Sequence, residues 1–306
     1  MPAVSICIPT YNHAAFIGDA LRSAMAQSCD DAEIVVLDNA SQDNTQEIVK
    51  EISARDPRIR YIRHSRNIGL IPNLNACIEF AEGRYVKILC ADDLLHPGCV
   101  SAMSKALDDN PGVSLVACAR TVADENLATL RIVGSREHQD RIAGATMIAN
   151  CFFWGNRIGE PTAVIFRRAD SQRGFNQNYP QLVDMEMWFH LLRKGDFLAL
   201  PQSLCTIRSH SGQATWDNDQ NGRIVGDRKR LFREFAGSTA ISAGFSKKML
   251  WDLRMAYALM RSAAAESRTL ERPVQEVFFP RAFPLCTYPF MSLMKSIGLR
   301  RIWRTI

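Results

Sequence analysis

Four times between residues 4 and 110 a short apolar run gives way to a polar turn and then to apolar residues at helical spacing. This alternation restricts the fold more than any other feature of the chain. Val4, Ile6 and Ile8 alternate with Ser5 and Cys7 in a first strand expected to stop at Pro9. Thr10-Tyr11-Asn12 follow, with Asn12 the expected N-cap of a helix through Phe16, Ile17, Ala20, Leu21, Ala24 and Met25. A second strand, 33–37, ends in Asp38-Asn39-Ala40-Ser41, and Ile48, Val49 and Ile52 mark the next helix. A third, 59–62, leads through Arg66-Asn67-Ile68-Gly69 to a helix carrying Leu74, Cys77, Ile78 and Ala81. The fourth, 85–89, runs straight into Cys90-Ala91-Asp92-Asp93, and Pro97 opens a helix to about residue 110.

Strand and helix repeated with short turns imply a mainly parallel sheet covered by helices on both faces. Such sheets bind ligands beyond the carboxyl ends of their strands. Thr10, Tyr11, Asp38, Asn67, Asp92 and Asp93 are all expected at that one edge. Taken singly each has a plain explanation, because turns are polar and an Asp can cap the following helix. Adjacent carboxylates repel, however, and a fold that holds two together commonly supplies a cation. No GxGxxG follows the first strand and no GxxxxGK[ST] occurs, which disfavours a dinucleotide-binding Rossmann enzyme and a P-loop NTPase.

Beyond residue 110 the expectations are a strand over 113–119, a hairpin around Glu125-Asn126, a short apolar helix near 147–153 and a strand over 163–166. A helix over 182–195 places Asp184 in its first turn. Two short strands follow, 197–200 and 204–208, and then His210, which taken alone is more often structural than a ligand. The polar stretch to about residue 222 has the composition of a mobile loop. Helices are expected over 224–235 and 247–266. The segment 278–306 mixes aromatics and prolines with Lys295, Arg300, Arg301 and Arg304.

The 306 residues, 47% hydrophobic and 23% charged, describe an ordinary globular chain with room for a large core. Nine cysteines without a CxxC pair argue for reduced thiols rather than a zinc cage or disulfide framework. The chain shows no signal-peptide pattern and no apolar run long enough to span a bilayer, so a cytoplasmic location is expected. Of the net charge of +5, residues 221–306 contribute +10 and residues 1–220 contribute −5. A basic tail faces anions. No RNA- or DNA-binding motif accompanies it, so nucleic acid is not an expected partner. Phe290, Leu293, Met294 and Ile297 lie at helical spacing among the cations, a pattern suited to an anionic membrane surface.

One ordered set of motifs says more. It comprises VSICIPTYNHAAFIGDALRSAMAQ at 4–27, VLDNASQDNT at 36–45, RNIG at 66–69, CADDLLHP at 90–97, VDMEMWFHLLRKG at 183–195 and RSH at 208–210. In this order and spacing the chain resembles a bacterial family 2 glycosyltransferase of the GT-A fold. The resemblance implies a Rossmann-like catalytic domain over 1–220, followed by a helical, basic region over 221–306. It implies inverting transfer of a sugar from a nucleotide-sugar, most often a UDP-sugar, to a hydroxyl of a glycan or lipid-linked saccharide. The expected setting is cell-surface polysaccharide synthesis, with Mg²⁺ or Mn²⁺ as cofactor and peripheral attachment to the inner face of the cytoplasmic membrane. Carried onto this chain, Pro9, Thr10 and Tyr11 hold base and ribose, Asp38 accepts a hydrogen bond from one of them, and Asn67 and Gly69 lie beside the nucleotide. Asp92 meets the donor diphosphate and, with Asp93 and His210, the metal; Asp184 is the catalytic base. Two positions depart from the pattern: Cys90 stands where many members have the first acid of the metal motif, and Val183 precedes Asp184 where an acid is common. The rival readings are a degenerate, non-catalytic member that binds a nucleotide-sugar or glycan, and a sugar nucleotidyltransferase. The latter would show a glycine-rich basic loop after the first strand, which PTYNHAAF is not.

Overall fold

The computed structural model describes residues 2–29, 31–134, 139–210 and 223–235. The polar stretch after His210, the helix expected over 247–266 and the basic tail over 278–306 lie outside the described residues. The first half alternates as expected: β1 (Val4–Thr10), α1 (Ile17–Met25), β2 (Ala32–Asp38), α2 (Thr45–Ser53), β3 (Ile59–Arg63), α3 (Leu70–Phe80), β4 (Tyr85–Ile88), a short β5 (Leu94–Leu95) and α4 (Cys99–Asp109). The second half comprises β6 (Val113–Ala123), β7 (Thr129–Val133), β8 (Asp140–Ile142), α5 (Gly144–Trp154), β9 (Val164–Arg167), α6 (Val183–Leu192), β10 (Asp196–Arg208) and α7 (Arg223–Phe235). A 3-10 turn, Pro161–Ala163, leads into β9, and another, Arg168–Ser171, follows it.

The strands form one sheet in the order β3-β2-β1-β4-β9-β6-β10-β5, with β7 on β6 and β8 on β10. β3, β2, β1 and β4 run parallel. β9 inserts antiparallel between β4 and β6, and β6 and β10 are again parallel. Every residue of β1 and β2 is buried, as a sheet covered on both faces requires. Alternation sorts their side chains. Ile6, Ile8, Ile34 and Val36 pack with α1, α2 and α4, while Cys7, Val35 and Leu37 pack on the other face with α3, α5, α6 and α7.

Three expectations are corrected. β1 continues through Pro9 to Thr10, because β4 pairs only as far as Cys7 and so asks no hydrogen bond of the proline. The two strands expected over 197–208 are one, β10; its ladder to β6 passes from Leu200↔Cys118 to Ser203↔Ala119, so Pro201 and Gln202 bulge out without ending the strand. Asn12 caps no helix: its φ is +56° and its side-chain oxygen accepts the Gln42 N–H at 2.7 Å.

The division expected at 220–221 precedes a helix that packs on the body. α7 buries Leu231 and Phe235 in the same core as α5 and α6, and the rings of Phe235 and Phe189 meet edge to face at 5.5 Å. Among the described residues no helix is long and apolar enough to cross a membrane.

Candidate functional site

The carboxyl ends of the first strands lie side by side, in the register Thr10↔Asp38↔Arg63. Asp38, fully buried, accepts the Ser41 N–H at 2.8 Å and the Tyr61 hydroxyl at 2.6 Å, and the Arg63 guanidinium stands 3.3 Å away. It holds the 39–41 turn in shape, with Ala40 at φ +62°. Asn39 then fastens that turn to the RNIG loop. Its amide donates to Asn67 Oδ1 at 2.9 Å and to the Gly69 carbonyl at 3.2 Å, and its oxygen accepts the Ile68 N–H at 2.8 Å. Gly69 takes φ +90° where α3 begins, a conformation that favours glycine. From the other side the Ala14 N–H donates to Asp43 at 2.9 Å and the His13 N–H to Thr45 Oγ1 at 3.0 Å. The result is a walled edge at which Tyr11, 36% exposed, is the outward aromatic.

Beyond β4 the acidic loop turns its two aspartates apart. Asp93 points inward: it accepts the Thr162 hydroxyl at 2.5 Å and the Arg208 N–H at 2.9 Å. Burial, then the charge of Asp92, pushes its carboxyl well above the usual range. Asp92 points toward His210, with Oδ2 3.1 Å from Nε2. The Cys90 thiol completes a cluster with the two aspartates in which the ligand atoms lie within 4.8 Å of one another. Burial chiefly, with both aspartates adding, raises the Cys90 thiol well above its usual range and keeps it protonated.

Arg208, the last residue of β10, fixes this corner. Its guanidinium donates to the Asp92 carbonyl at 3.0 Å, the Glu125 carbonyl at 2.8 Å and the Asp19 carboxylate at 2.9 Å, and it lies over the Phe16 ring at 4.9 Å. His210 rests on the same ring, 4.7 Å between centroids. Burial lowers the pKa of His13, while the charges of Asp92 and His210 act on it in opposite senses, so all three side chains share one neighbourhood.

These donors suit a divalent cation. Two ligands set at right angles on an octahedral ion with bonds of about 2.1 Å stand about 3 Å apart. That matches the separation of Asp92 Oδ2 and His210 Nε2, and carboxylate with imidazole is a donor set compatible with Mn²⁺.

Asp184 comes from a different element, the first turn of α6. It is partly exposed, accepts the Met185 N–H at 2.7 Å, and is pushed up to about 6 by burial, the charge of Glu160 adding to the effect. Glu186, two residues on, is wholly buried and paired with both Arg173 nitrogens at 2.7 Å. Leu182, at the helix start, has no capping side chain. Asp227 of α7 substitutes from outside, accepting the N–H groups of Gln181 at 2.7 Å and Leu182 at 3.1 Å.

Asp92 and His210 thus come together, with Asp93 beside them but turned inward; Pro9, Thr10, Tyr11, Asn67 and Gly69 lie along the adjoining edge with Asp38 enclosed behind it; Asp184 stands on its own helix. Sequence reasoning assigned no role to Asn39, Phe16, Thr162, Glu160 or Arg208. Arg208 was within the RSH motif, and Asn39 within the turn after β2. Nothing local marks Thr162, whose hydroxyl reaches Asp93 across 69 residues of chain.

The profile of glycosyl transferase family 2 matches residues 5–175. An uncharacterized protein of Mycobacterium tuberculosis is 32% identical over 240 residues, 75% of this chain and 74% of that relative. Among solved structures, S. aureus TarS 1-349 in complex with UDP-GlcNAc superposes with a TM-score of 0.59 at 17% identity, over 87% of this chain and 81% of that one. The mannosyltransferase PcManGT from Pyrobaculum calidifontis, in complex with GDP-Man and Mn²⁺, gives 0.59 at 20% identity over 99% and 82%. At these identities the structural matches establish the architecture, a GT-A-type α/β sheet, and the profile match over more than half of the length establishes the kinship: the chain belongs to glycosyl transferase family 2.

Proposed function

We propose that the protein transfers a sugar from a nucleotide-sugar, a UDP-sugar in the first instance, to a hydroxyl of a saccharide or lipid-linked saccharide, with inversion at the anomeric carbon. The observation that carries this reading is the Asp92–His210 pair, set 3.1 Å apart beside the walled edge at the ends of β1 and β2. Tyr11 and the 67–69 loop receive the nucleoside there, and the diphosphate reaches Asp92 and His210. Asp38 acts from behind, by holding the turn that meets the nucleoside. A divalent cation bound by Asp92 and His210, with Asp93 behind them, would offset the charge that grows on the departing nucleoside diphosphate. Arg208 keeps the corner in place by bonding the Asp92 backbone and supporting the ring under His210. Asp184 takes the proton from the acceptor hydroxyl as that oxygen attacks; a carboxylate poised near 6 is mostly ionised at neutral pH yet basic enough to do so. One displacement needs no covalent intermediate on the protein.

The test is release of nucleoside diphosphate from UDP-glucose, UDP-N-acetylglucosamine, UDP-galactose and GDP-mannose, with Mn²⁺ and with EDTA. Turnover of one donor with Mn²⁺, its loss in EDTA and its loss in Asp92→Asn are expected. Turnover undiminished by EDTA would end the metal role. Tight donor binding without turnover of donor to any acceptor would favour the binding-only reading that Cys90 and Val183 suggest.

A further inference from the structure

Residues 159–162 cross the site from the helix of Asp184 to the acidic loop. At one end the Gly159 carbonyl accepts the Trp188 indole N–H at 3.1 Å, and Trp188 lies one turn beyond Asp184 on the same side of α6. At the other end the Thr162 hydroxyl donates to Asp93 at 2.5 Å and accepts the Cys90 N–H at 3.0 Å. Lys87, fully buried in β4, donates to the Thr162 and Val164 carbonyls and so pins that end to the sheet. Glu160 stands between the two anchors with its side chain 44% exposed. Arg120, from β6 and only 8% exposed, pairs with Glu160 Oε2 and comes within 3.5 Å of Oε1. The ion pair makes a third carboxylate tolerable close to Asp184 and Asp93, and it leaves Oε1 the more weakly held oxygen. Consistently, the charge of Glu160 is felt by Asp184 on one side and by Asp93 and Cys90 on the other.

In a sugar transfer the ring that moves must lie between the diphosphate and the base. We infer that Glu160 accepts hydrogen bonds from ring hydroxyls of the donor's sugar and so discriminates among nucleotide-sugars, with Arg120 holding its carboxylate in position. Hydrogen bonds from hydroxyls to a carboxylate are charge-assisted and geometrically demanding, which suits selection among sugars that differ at one hydroxyl. The inference rests on the proposed function of this site and adds the residue that reads the sugar.

Calorimetric titration of the full chain with Mn²⁺ separates the two claims. The probes are UDP, GDP, UDP-glucose, UDP-N-acetylglucosamine, UDP-galactose and GDP-mannose, applied to the wild type, to Glu160→Gln and to Glu160→Asp. In the wild type one nucleotide-sugar is expected to bind more tightly than its parent diphosphate. In Glu160→Gln that gain should fall about ten- to a hundred-fold, the weight of a hydrogen bond to a charged group, with diphosphate affinity unchanged. Glu160→Asp keeps the charge and the Arg120 partner, and should retain part of the gain even if the glutamine variant melts early. The inference is overturned if the gain survives in both variants, if diphosphate and nucleotide-sugar weaken equally, or if no sugar adds affinity in the wild type. A wild type that binds neither diphosphate nor nucleotide-sugar would instead remove the proposed function, and this inference with it.

Discussion

Asp184 and Glu186 sit two positions apart in one helical turn, and their surroundings send them to different work. Glu186 is locked to Arg173; Asp184 is partly exposed and pushed up to about 6 by burial. With Asp184 as base, turnover should rise with pH through about 6 and then level, because only the ionised carboxylate accepts a proton. Asp184→Asn should leave donor affinity intact and lower kcat by about 10²–10⁴-fold; an equal loss of donor affinity would make the residue a donor contact. Its elevated pKa also bears on stability. The folded protein resists ionising this acid relative to the ordinary value of 3.8, so stability falls as pH rises from about 4 to about 6 and stays lower above. Asp184→Asn removes that cost, and its melting temperature should exceed the wild type's at pH 7.5 while the gap narrows at pH 4. His210→Ala should weaken UDP binding with Mn²⁺ present and leave it unchanged in EDTA; equal losses would make the histidine structural. At this scale the sequence disclosed which residues gather at the strand ends but not which way they face. Asp92 and Asp93 are identical neighbours in the chain, and only the distant Thr162 and Arg208 turn one of them inward. Asp38 was legible as a strand-end acid, whereas its enclosure by Ser41, Tyr61 and Arg63 depends on the pairing of β2 with β3.

β10 shows what patterning can and cannot deliver for an element. Its apolar residues announced strands on both sides of Pro201, and the proline and glutamine between them looked like a break. The long neighbour β6 carries the ladder past the bulge, a tertiary effect invisible in a local window. By contrast the α1, α2, α3 and α4 segments were legible to within a few residues, because each buries one stripe on a sheet that alternation had already implied. The C-terminal end of β10 matters most, since Arg208 there links the acidic loop, the β6–β7 hairpin and α1. Arg208→Met keeps much of the bulk but leaves two carbonyls without this donor. A loss of about 1–3 kcal/mol for each group that stays dry is expected in urea unfolding, together with weaker Mn²⁺-dependent UDP binding. A variant as stable as the wild type but equally weakened in UDP binding with and without Mn²⁺ would refute the proposed support of the metal corner.

Taken whole, the described core takes in a helix from beyond the division expected at 220–221. Leu231 and Phe235 of α7 complete the core under α5 and α6, so a chain cut after residue 220 should melt well below one cut after residue 236. The 16-against-6 balance of basic over acidic residues in 221–306 supports a membrane-facing tail as a proposal. The full chain should co-sediment with anionic vesicles and not with neutral ones, and the chain cut after residue 236 should lose that binding; equal behaviour of the two would dismiss it. The same helix has a second effect. Asp227 in α7 accepts the N–H groups of Gln181 and Leu182 where the helix that carries Asp184 begins, so whatever shifts α7 shifts the proposed base as well.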